Sequence, residues 1–393
     1  MQSFISKSDF QYELPEYRIA FYPLEQRDSS KLLTYQNHKI IDSTFCALTE
    51  LLPAESILIF NETKVIPARL IFSSDSGMSI EIFCLQRIEE RDNSSATWLC
   101  YVGNARKWKQ QQIQLKKGKE ILNAEISGRK EDAFEVIFNW NSEKSFEEIL
   151  DVFGATPLPP YIKRKAEESD KESYQTIFSK HKGSVAAPTA SLHFTENILA
   201  QLREKNIQTL HVTLHVGAGT FKPIKSENVL EHKMHEEYFE VSIETILSLT
   251  ETKSPLIIPV GTTALRTMET LYWLGVKASV GILTLQNGIF FSQFEYRELP
   301  QDISFQKSME ALLLFMQSNR IDTIAGNTQI MITPDYIIKS SSAIITNFHQ
   351  PESTLLLLIA AFVGKSWRTI YEHALSNNYR FLSYGDSSLL FLH

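Results

Sequence analysis

The chain has 393 residues, 43% hydrophobic and 22% charged, with 39 Lys+Arg against 46 Asp+Glu and a formal charge of −7. At roughly 100–200 residues per domain, this length predicts two or three domains. The composition excludes collagen-like, low-complexity and wholly disordered chains, and the mild acidity gives no global signal for nucleic acid.

The N-terminus, MQSFISKSDFQYELPEY, has neither a basic start nor an apolar core, so no secretory signal is expected. Cys46, Cys84 and Cys100 form no CxxC pair, which suits a reducing, cytoplasmic setting. Ser56–Phe60 reads as a buried strand and Asn61–Lys64 as a polar turn. From about Leu70 to Phe138 short runs of β-formers recur: Ser79–Leu85, Thr97–Val102, Gln112–Leu115, Ile121–Ile126 and Ala133–Phe138. Their rhythm predicts a small all-β, barrel-like domain. Thr156-Pro-Leu-Pro-Pro-Tyr161 closes it, because such proline density fits neither a helix nor a central strand. Beyond the charged stretch Lys163–Lys182, strands alternate with helices. The strands are Gln208–Val216, Leu256–Val260 and Ala343–Thr346, and the helices Ile243–Thr250, Ala264–Leu274 and Ser353–Phe362. That is the pattern of a sheet covered by helices. The longest apolar run, Leu355–Val363, falls far short of the ~20 residues that span a membrane.

Several segments carry possible chemistry. In Gln208–Val216, Leu210, Val212, Leu214 and Val216 share one face and His211 and His215 the other. The strand runs into Gly217-Ala-Gly-Thr220, where glycines allow close approach of a ligand, although a tight turn on an edge strand reads it equally well. His211 and His215 lie roughly 13 Å apart on a strand and cannot share a metal ion. His232-Lys-Met-His235-Glu-Glu237 matches no familiar zinc spacing, so no metal is expected; acid–base work, substrate contact or a solvated loop remain. Val260-Gly261-Thr262-Thr263 joins a strand to a helix, where hydroxyls cap and free N–H groups bind oxygens, with Arg266 one turn on. Asn347 and His349 follow a strand end, where open α/β sheets bind ligands. Gly183–Thr189, with Leu192-His193-Phe194, is a small-residue loop that suits a flat ligand or tight packing. A basic stretch, Arg106, Lys107, Lys109, Lys116, Lys117 and Lys119, has no acidic residue between Tyr101 and Lys119 and includes Trp108, a candidate for base stacking. Lys163-Arg164-Lys165 and Lys180-His-Lys182 add two more clusters; solvated charge is the usual explanation of such runs, with RNA binding the sharper alternative.

Together these segments resemble the S-adenosylmethionine:tRNA ribosyltransferase-isomerases of queuosine biosynthesis. The resemblance runs in order through Tyr12–Pro15, Tyr22–Leu24 with Arg27, NETKVIPARL from Asn61, PLPPYI from Pro157 and GSVAAPTASLHF from Gly183. It continues through TLHVGAGTF from Thr213, His232 with MHEEY from Met234, VGTTALR from Val260, TNFHQPESTL from Thr346 and YRFLSYGD from Tyr379. It implies an α/β main domain, a mixed sheet with flanking helices, interrupted by a smaller all-β barrel-like domain. The expected boundaries are 1–68 and 155–393 for the main domain, with an extension at about 275–327, and 69–154 for the insertion.

It also implies transfer and isomerisation of the ribosyl part of S-adenosylmethionine, a cosubstrate rather than a resident cofactor, onto 7-aminomethyl-7-deazaguanine at the tRNA wobble position. Epoxyqueuosine would form, with release of adenine and methionine. Carried over, the family motifs give His193, His215, His235, Glu237 and His349 as catalytic candidates, and His211 falls outside them. They give Gly217, Gly219, Thr220, Gly261, Thr262, Thr263, Arg266 and Asn347 as cosubstrate contacts. The RNA candidates are Lys64, Arg69, Arg106, Lys107, Lys109, Lys116, Lys163, Arg164 and Lys165. At least three of His193, His215, His235, Arg266, Asn347 and His349 are expected to line one common pocket. A monomer or weak homo-oligomer is expected.

The chain departs from the family at Lys31 and Lys64, where Arg is usual, and at Ser191, Glu236 and Asp335. Thr267–Asn327 is longer than the family's spacing, and the apolar face of Ser304–Met316 (Met309, Leu312, Leu313, Met316) needs a cover, either the main domain or a second subunit. A paralogue using another amine acceptor, or an RNA-binding relative without catalysis, are the alternatives.

Overall fold

The computed structural model describes residues 4–73, 77, 79–92, 94–109, 111–130, 132–217, 224–251 and 256–392. A ten-stranded mixed sheet orders its strands Ile289–Phe291, Thr323–Thr328, Glu237–Ser242, Gln208–His215, Ile57–Asn61, Ile257–Val260, Ala343–Asn347, Ser387–Phe391, Lys31–Gln36 and Lys39–Thr44. Four adjacent strands at its centre, from Gln208–His215 to Ala343–Asn347, run parallel. Alternate residues of Ile57–Phe60 enter two different cores: Ile57 and Ile59 pack with Leu210, Val212 and Leu214, and Leu58 and Phe60 with Ile258, Val260 and Phe194. A strand buried on both faces has no use for polar alternation, which explains its continuous apolar run.

The helices follow from their apolar stripes. Thr262–Ser279 is buried along most of its length, and Thr354–Val363 packs into the same core. Thr354–Ser376 is long and apolar enough by composition to cross a membrane. Gly364, at φ 58°, interrupts it, and both halves pack into the core of the large sheet. Phe305–Ser318 buries Met309, Leu312 and Met316, with Leu313 partly covered, in that core. The amphipathic face in the extension is thus covered by the chain's own main body. Gly275 permits this approach: a Cβ there would stand 2.2 Å from the Ser308 carbonyl oxygen.

A second, six-stranded antiparallel sheet orders its strands Arg69–Ser73, Ser79–Asp92, Ser95–Gly103, Ala133–Trp140, Glu120–Lys130 and Ile113–Lys117. Its two outer strands approach each other, so the sheet curls into a nearly closed barrel. Leu70, Phe72, Ile82, Trp98, Val136 and Phe138 fill the interior, plugged by Phe146, Ile149 and Leu150 of helix Phe146–Phe153. A capping box, Ser145 with Glu148, starts that helix. Trp108 belongs to this core and is 9% exposed, which corrects the expectation that it stacks on a base. The chain leaves for the barrel and returns from it at one point. There Arg69 N donates to Ala155 O (3.3 Å) and Ala155 N to Arg69 O (2.8 Å).

Candidate active site

The carboxyl ends of the central parallel strands open on a cavity of about 730 Å³, the position where open α/β sheets accept ligands. Its floor is Gly261-Thr262-Thr263, which opens helix Thr262–Ser279, and its walls include Ala186–Ala190 and Thr346–Gln350. Gly261 donates to the Ile345 carbonyl (2.8 Å) at φ 96°, a conformation other residues seldom adopt. Beneath it Asn61 ties three elements together. Its Oδ1 accepts from the backbone of Thr63 and Leu214 (both 3.1 Å), and its Nδ2 donates to Leu214 O (2.9 Å) and Thr263 Oγ1 (3.3 Å).

Asn347 stands at the end of its strand. Its Oδ1 accepts from Thr189 Oγ1 (3.0 Å) and its Nδ2 lies 3.4 Å from His193 Nε2. His193 Nδ1 is 3.3 Å from the Arg27 carbonyl and 2.9 Å from Ser30 Oγ. A carbonyl only accepts, so the arrangement that satisfies every group protonates Nδ1 and leaves Nε2 to accept from the Asn347 amide. Burial lowers the His193 pKa to about 4, with the Arg27 and Arg380 charges acting the same way, so the ring is neutral at neutral pH. His349 is pushed down to about 3 by burial alone; its Nε2 lies 3.0 Å from Thr346 Oγ1, and its backbone N–H donates to Tyr371 OH (3.1 Å).

A second cavity of about 510 Å³ adjoins the first, with Leu355 lining both. It holds His232, Met234, His235, Glu237, Arg266 and Met331. Arg266 and Glu237 form a buried ion pair through Nη1 and Oε2. The Arg266 Nε donates to Ile330 O (3.3 Å), and its Nη2, also buried, has no hydrogen-bond partner among the described residues. Burial lowers the guanidinium pKa to about 10, which still leaves it charged at neutral pH. A planar cation with one unused donor, beside thioether and aliphatic side chains, can hold a carboxylate at the end of a short apolar chain.

The family model of queuosine biosynthesis proteins matches residues 7–390. The chain belongs to that family. Two relatives, the S-adenosylmethionine:tRNA ribosyltransferase-isomerases of Thermotoga petrophila and Thermotoga sp. (strain RQ2), are 37% identical over 393 residues, covering 98% of this chain and 99% of each relative. The crystal structure of S-adenosylmethionine tRNA ribosyltransferase from Thermotoga maritima is 28% identical, covering 97% of this chain and 99% of that one, with a TM-score of 0.47.

In this queuosine biosynthesis protein the six side chains expected in one pocket divide. Asn347 and His349 line the first cavity, and Arg266 and His235 the second. Neither takes three, so the expectation of a single pocket gives way to two cavities with a shared wall. His193 sits behind Asn347 as its support. His215 lines neither cavity. Its Nδ1 is 2.7 Å from Thr63 Oγ1, its ring stacks on Tyr238 (5.8 Å, 15°), and a Cβ at Gly183 would stand 2.8 Å from its Nε2. No described residue lies within 4 Å of where a Cβ on Gly217 would stand, and Gly219 and Thr220 lie outside the described residues. His211 rests between Phe60 and Phe178, 3.7 Å from Glu62, as a packed surface histidine.

The basic candidates of this queuosine-family chain also divide. Arg106, Lys107, Lys109, Lys116 and Lys165 are exposed. Lys64 lines a groove with Lys171 and Lys182. Lys163 is exposed and 2.9 Å from Glu16. Arg164 is committed elsewhere: it grips Asp170 with two bonds (2.6 and 2.7 Å), donates to Phe21 O and lies 4.0 Å over the Tyr22 ring, which corrects its reading as a phosphate contact. Arg69 pairs with Glu81 (3.1 Å) and donates to Leu158 O, holding the root of the barrel. Thr189 lies in the small-residue loop expected to suit a flat ligand, whereas Asn61, Tyr161 and Ser383, which shape the first site, sit in the family motifs without having been expected at the site. Short polar residues next to small ones carry no signal that separates a site from a turn.

Proposed function

We propose that this chain transfers and isomerises the ribosyl moiety of S-adenosylmethionine onto 7-aminomethyl-7-deazaguanine of tRNA, in the cytoplasm, with release of adenine and methionine. The observation that carries the reading is the pair of adjoining cavities. One offers an unused guanidinium donor beside Met234 and Met331, fit for the amino-acid end of the cosubstrate. The other, floored by Gly261-Thr262-Thr263 and walled by alanines, fits a flat nucleoside. Family membership and the names of the relatives support it. A sulfonium acidifies the neighbouring ribose carbon; a base removes that proton, and an acid helps adenine depart. His235 lines the cavity yet is exposed, so it can exchange protons with solvent and takes the acid–base role. Glu237 keeps Arg266 oriented, Asn347 binds the ribose, and neutral His349 offers an uncharged imidazole to it.

The test is adenine release from S-adenosylmethionine in the presence of tRNA bearing the precursor base. Release that depends on that tRNA supports the proposal. Release with a different amine only supports the paralogue, and no release the RNA-binding relative. His235→Ala is expected to lower turnover by about 10²–10⁴; a change below about threefold returns His235 to a binding role.

In the same reading the segment 69–154 is an inserted domain whose basic rim meets RNA. Lys107, Lys109 and Lys116 replaced by Glu are expected to weaken tRNA binding and leave S-adenosylmethionine binding unchanged. The log–log salt slope should become shallower by roughly 0.7–0.9 for each phosphate the rim no longer neutralises. Unchanged tRNA affinity removes this rim from the interface.

A further inference from the structure

We propose that Gln293 is a positioning residue for the His232–Glu237 segment, acting through a side-chain amide clamp on its backbone. This rests on the functional reading above. The residues 232–236 belong to no strand or helix, so no ladder fixes their backbone. Gln293 supplies the missing pair of bonds. Its Nε2 donates to His232 O (2.7 Å) and its Oε1 accepts from Met234 N (3.0 Å). A carbonyl and an N–H two residues apart are what a neighbouring strand would engage.

Gln293 is itself pinned to the opposite wall. Its carbonyl accepts from Met331 N (3.1 Å), and its amide nitrogen lies 3.1 Å from Met331 Sδ. One residue therefore ties together the two walls of the cavity that holds Arg266. The sheet puts it there. Phe291 pairs with Thr328, and Thr328 pairs with Glu237, so the three stand in one row across the sheet. Gln293 follows Phe291 by two residues and emerges beside the start of the Glu237 strand. The extension thus contributes more than a cover for the core: it holds the segment that carries His235 and Glu237 in register with Arg266.

The test uses Gln293→Ala and Gln293→Glu in the full chain. The Glu variant keeps the acceptor for the Met234 N–H but turns a carboxylate oxygen, which cannot donate, towards the His232 carbonyl. Three quantities are read: hydrogen exchange at the Met234 amide, kcat and KM for adenine release, and the melting temperature. In the Ala variant Met234 exchange is expected to rise by about tenfold or more, the effect of losing two net hydrogen bonds. Over the same comparison kcat falls by about tenfold with KM for tRNA unchanged and the melting temperature lowered by no more than a few degrees. The Glu variant is expected to lose kcat while retaining more Met234 protection than the Ala variant. An unchanged Met234 amide overturns the proposal, as does faster exchange with unaltered kcat, or a kcat loss that only tracks a fall in melting temperature. If the wild-type protein releases no adenine with any acceptor, the functional reading falls instead. The exchange comparison then still decides the clamp, with lost protection supporting it and retained protection overturning it.

Discussion

Arg266→Met is expected to lower folding stability by roughly 3–5 kcal/mol and to abolish S-adenosylmethionine binding. The guanidinium and the Glu237 carboxylate are both almost wholly buried, with side-chain exposures of 6% and 2%. Methionine matches the length of the arginine stem but leaves a charged or newly protonated carboxyl without its partner in a dry site. Removing one member of such a pair is far more damaging than replacing both, because the survivor keeps its desolvation cost. The double variant Arg266→Met with Glu237→Gln should therefore recover much of the stability and none of the binding. Arg266→Lys is expected to fall between, since a single ammonium cannot reach Glu237 and Ile330 O in the planar geometry of the fork. Urea unfolding and calorimetric titration check these outcomes. A stability loss under about 1 kcal/mol for Arg266→Met would mean the pair contributes no more than a surface ion pair.

Folding stability should fall as pH drops below about 6.5, and two histidines account for a large part of that loss. His193 and His349 are held neutral by burial, at about 4 and about 3 against an ordinary 6.5. Below pH 6.5 the unfolded chain takes up protons at these positions while the folded chain refuses them. Stability is therefore fully present above about 6.5 and drains away as pH falls towards the folded values. At about 1.4 kcal/mol per pH step of separation, His193 contributes roughly 3 kcal/mol of pH-dependent stability and His349 somewhat more. Set against the ~5–15 kcal/mol that holds a typical domain together, this is a large share. His349→Gln should be less stable than wild type at pH 7.5 yet lose less between pH 7 and 5. Equal slopes for variant and wild type would show that His349 takes up its proton in the folded state.

The strand-and-helix alternation of the larger sheet was legible because its central strands are continuous apolar runs and its helices carry plain stripes. The strand expected over Gln208–Val216 ends one residue earlier, at His215, and Leu210, Val212 and Leu214 do face the core. The edges were harder. Lys31–Gln36 and Lys39–Thr44 form a hairpin at the sheet margin; the first buries Leu32 to Tyr35 in an unbroken row and the second, at the edge, is exposed or half-exposed throughout, so neither shows a period of two. Ser79–Asp92 runs well past Leu85: Gln86–Glu89 are exposed and are held by cross-strand pairing rather than by burial. At the site, motif residues announced Asn347, Arg266 and His235 individually. Their partition between two cavities depends on Leu355, and Leu355 reads as one more apolar residue of a buried helix. Gln293 was invisible for the same reason: a lone glutamine acquires a role only from the backbone it touches.

The clip between Arg69 and Ala155 bears on how the chain folds as well as on how it is laid out. Pairing Ile57–Asn61 with Gln208–His215 joins segments about 150 residues apart, a costly closure if the intervening chain is loose. The barrel is built almost entirely from strands adjacent in sequence, so it can form while the rest is still open. Once its ends are clipped, the loop left to close shrinks to about 65 residues, lowering the closure cost by about 0.7 kcal/mol. Three of the five tryptophans, Trp98, Trp108 and Trp140, lie in the barrel, and Trp273 and Trp367 in the larger core. The sequence of events is thus written into the chain's own fluorescence: the barrel tryptophans should reach their native emission while Trp273 and Trp367 are still in water.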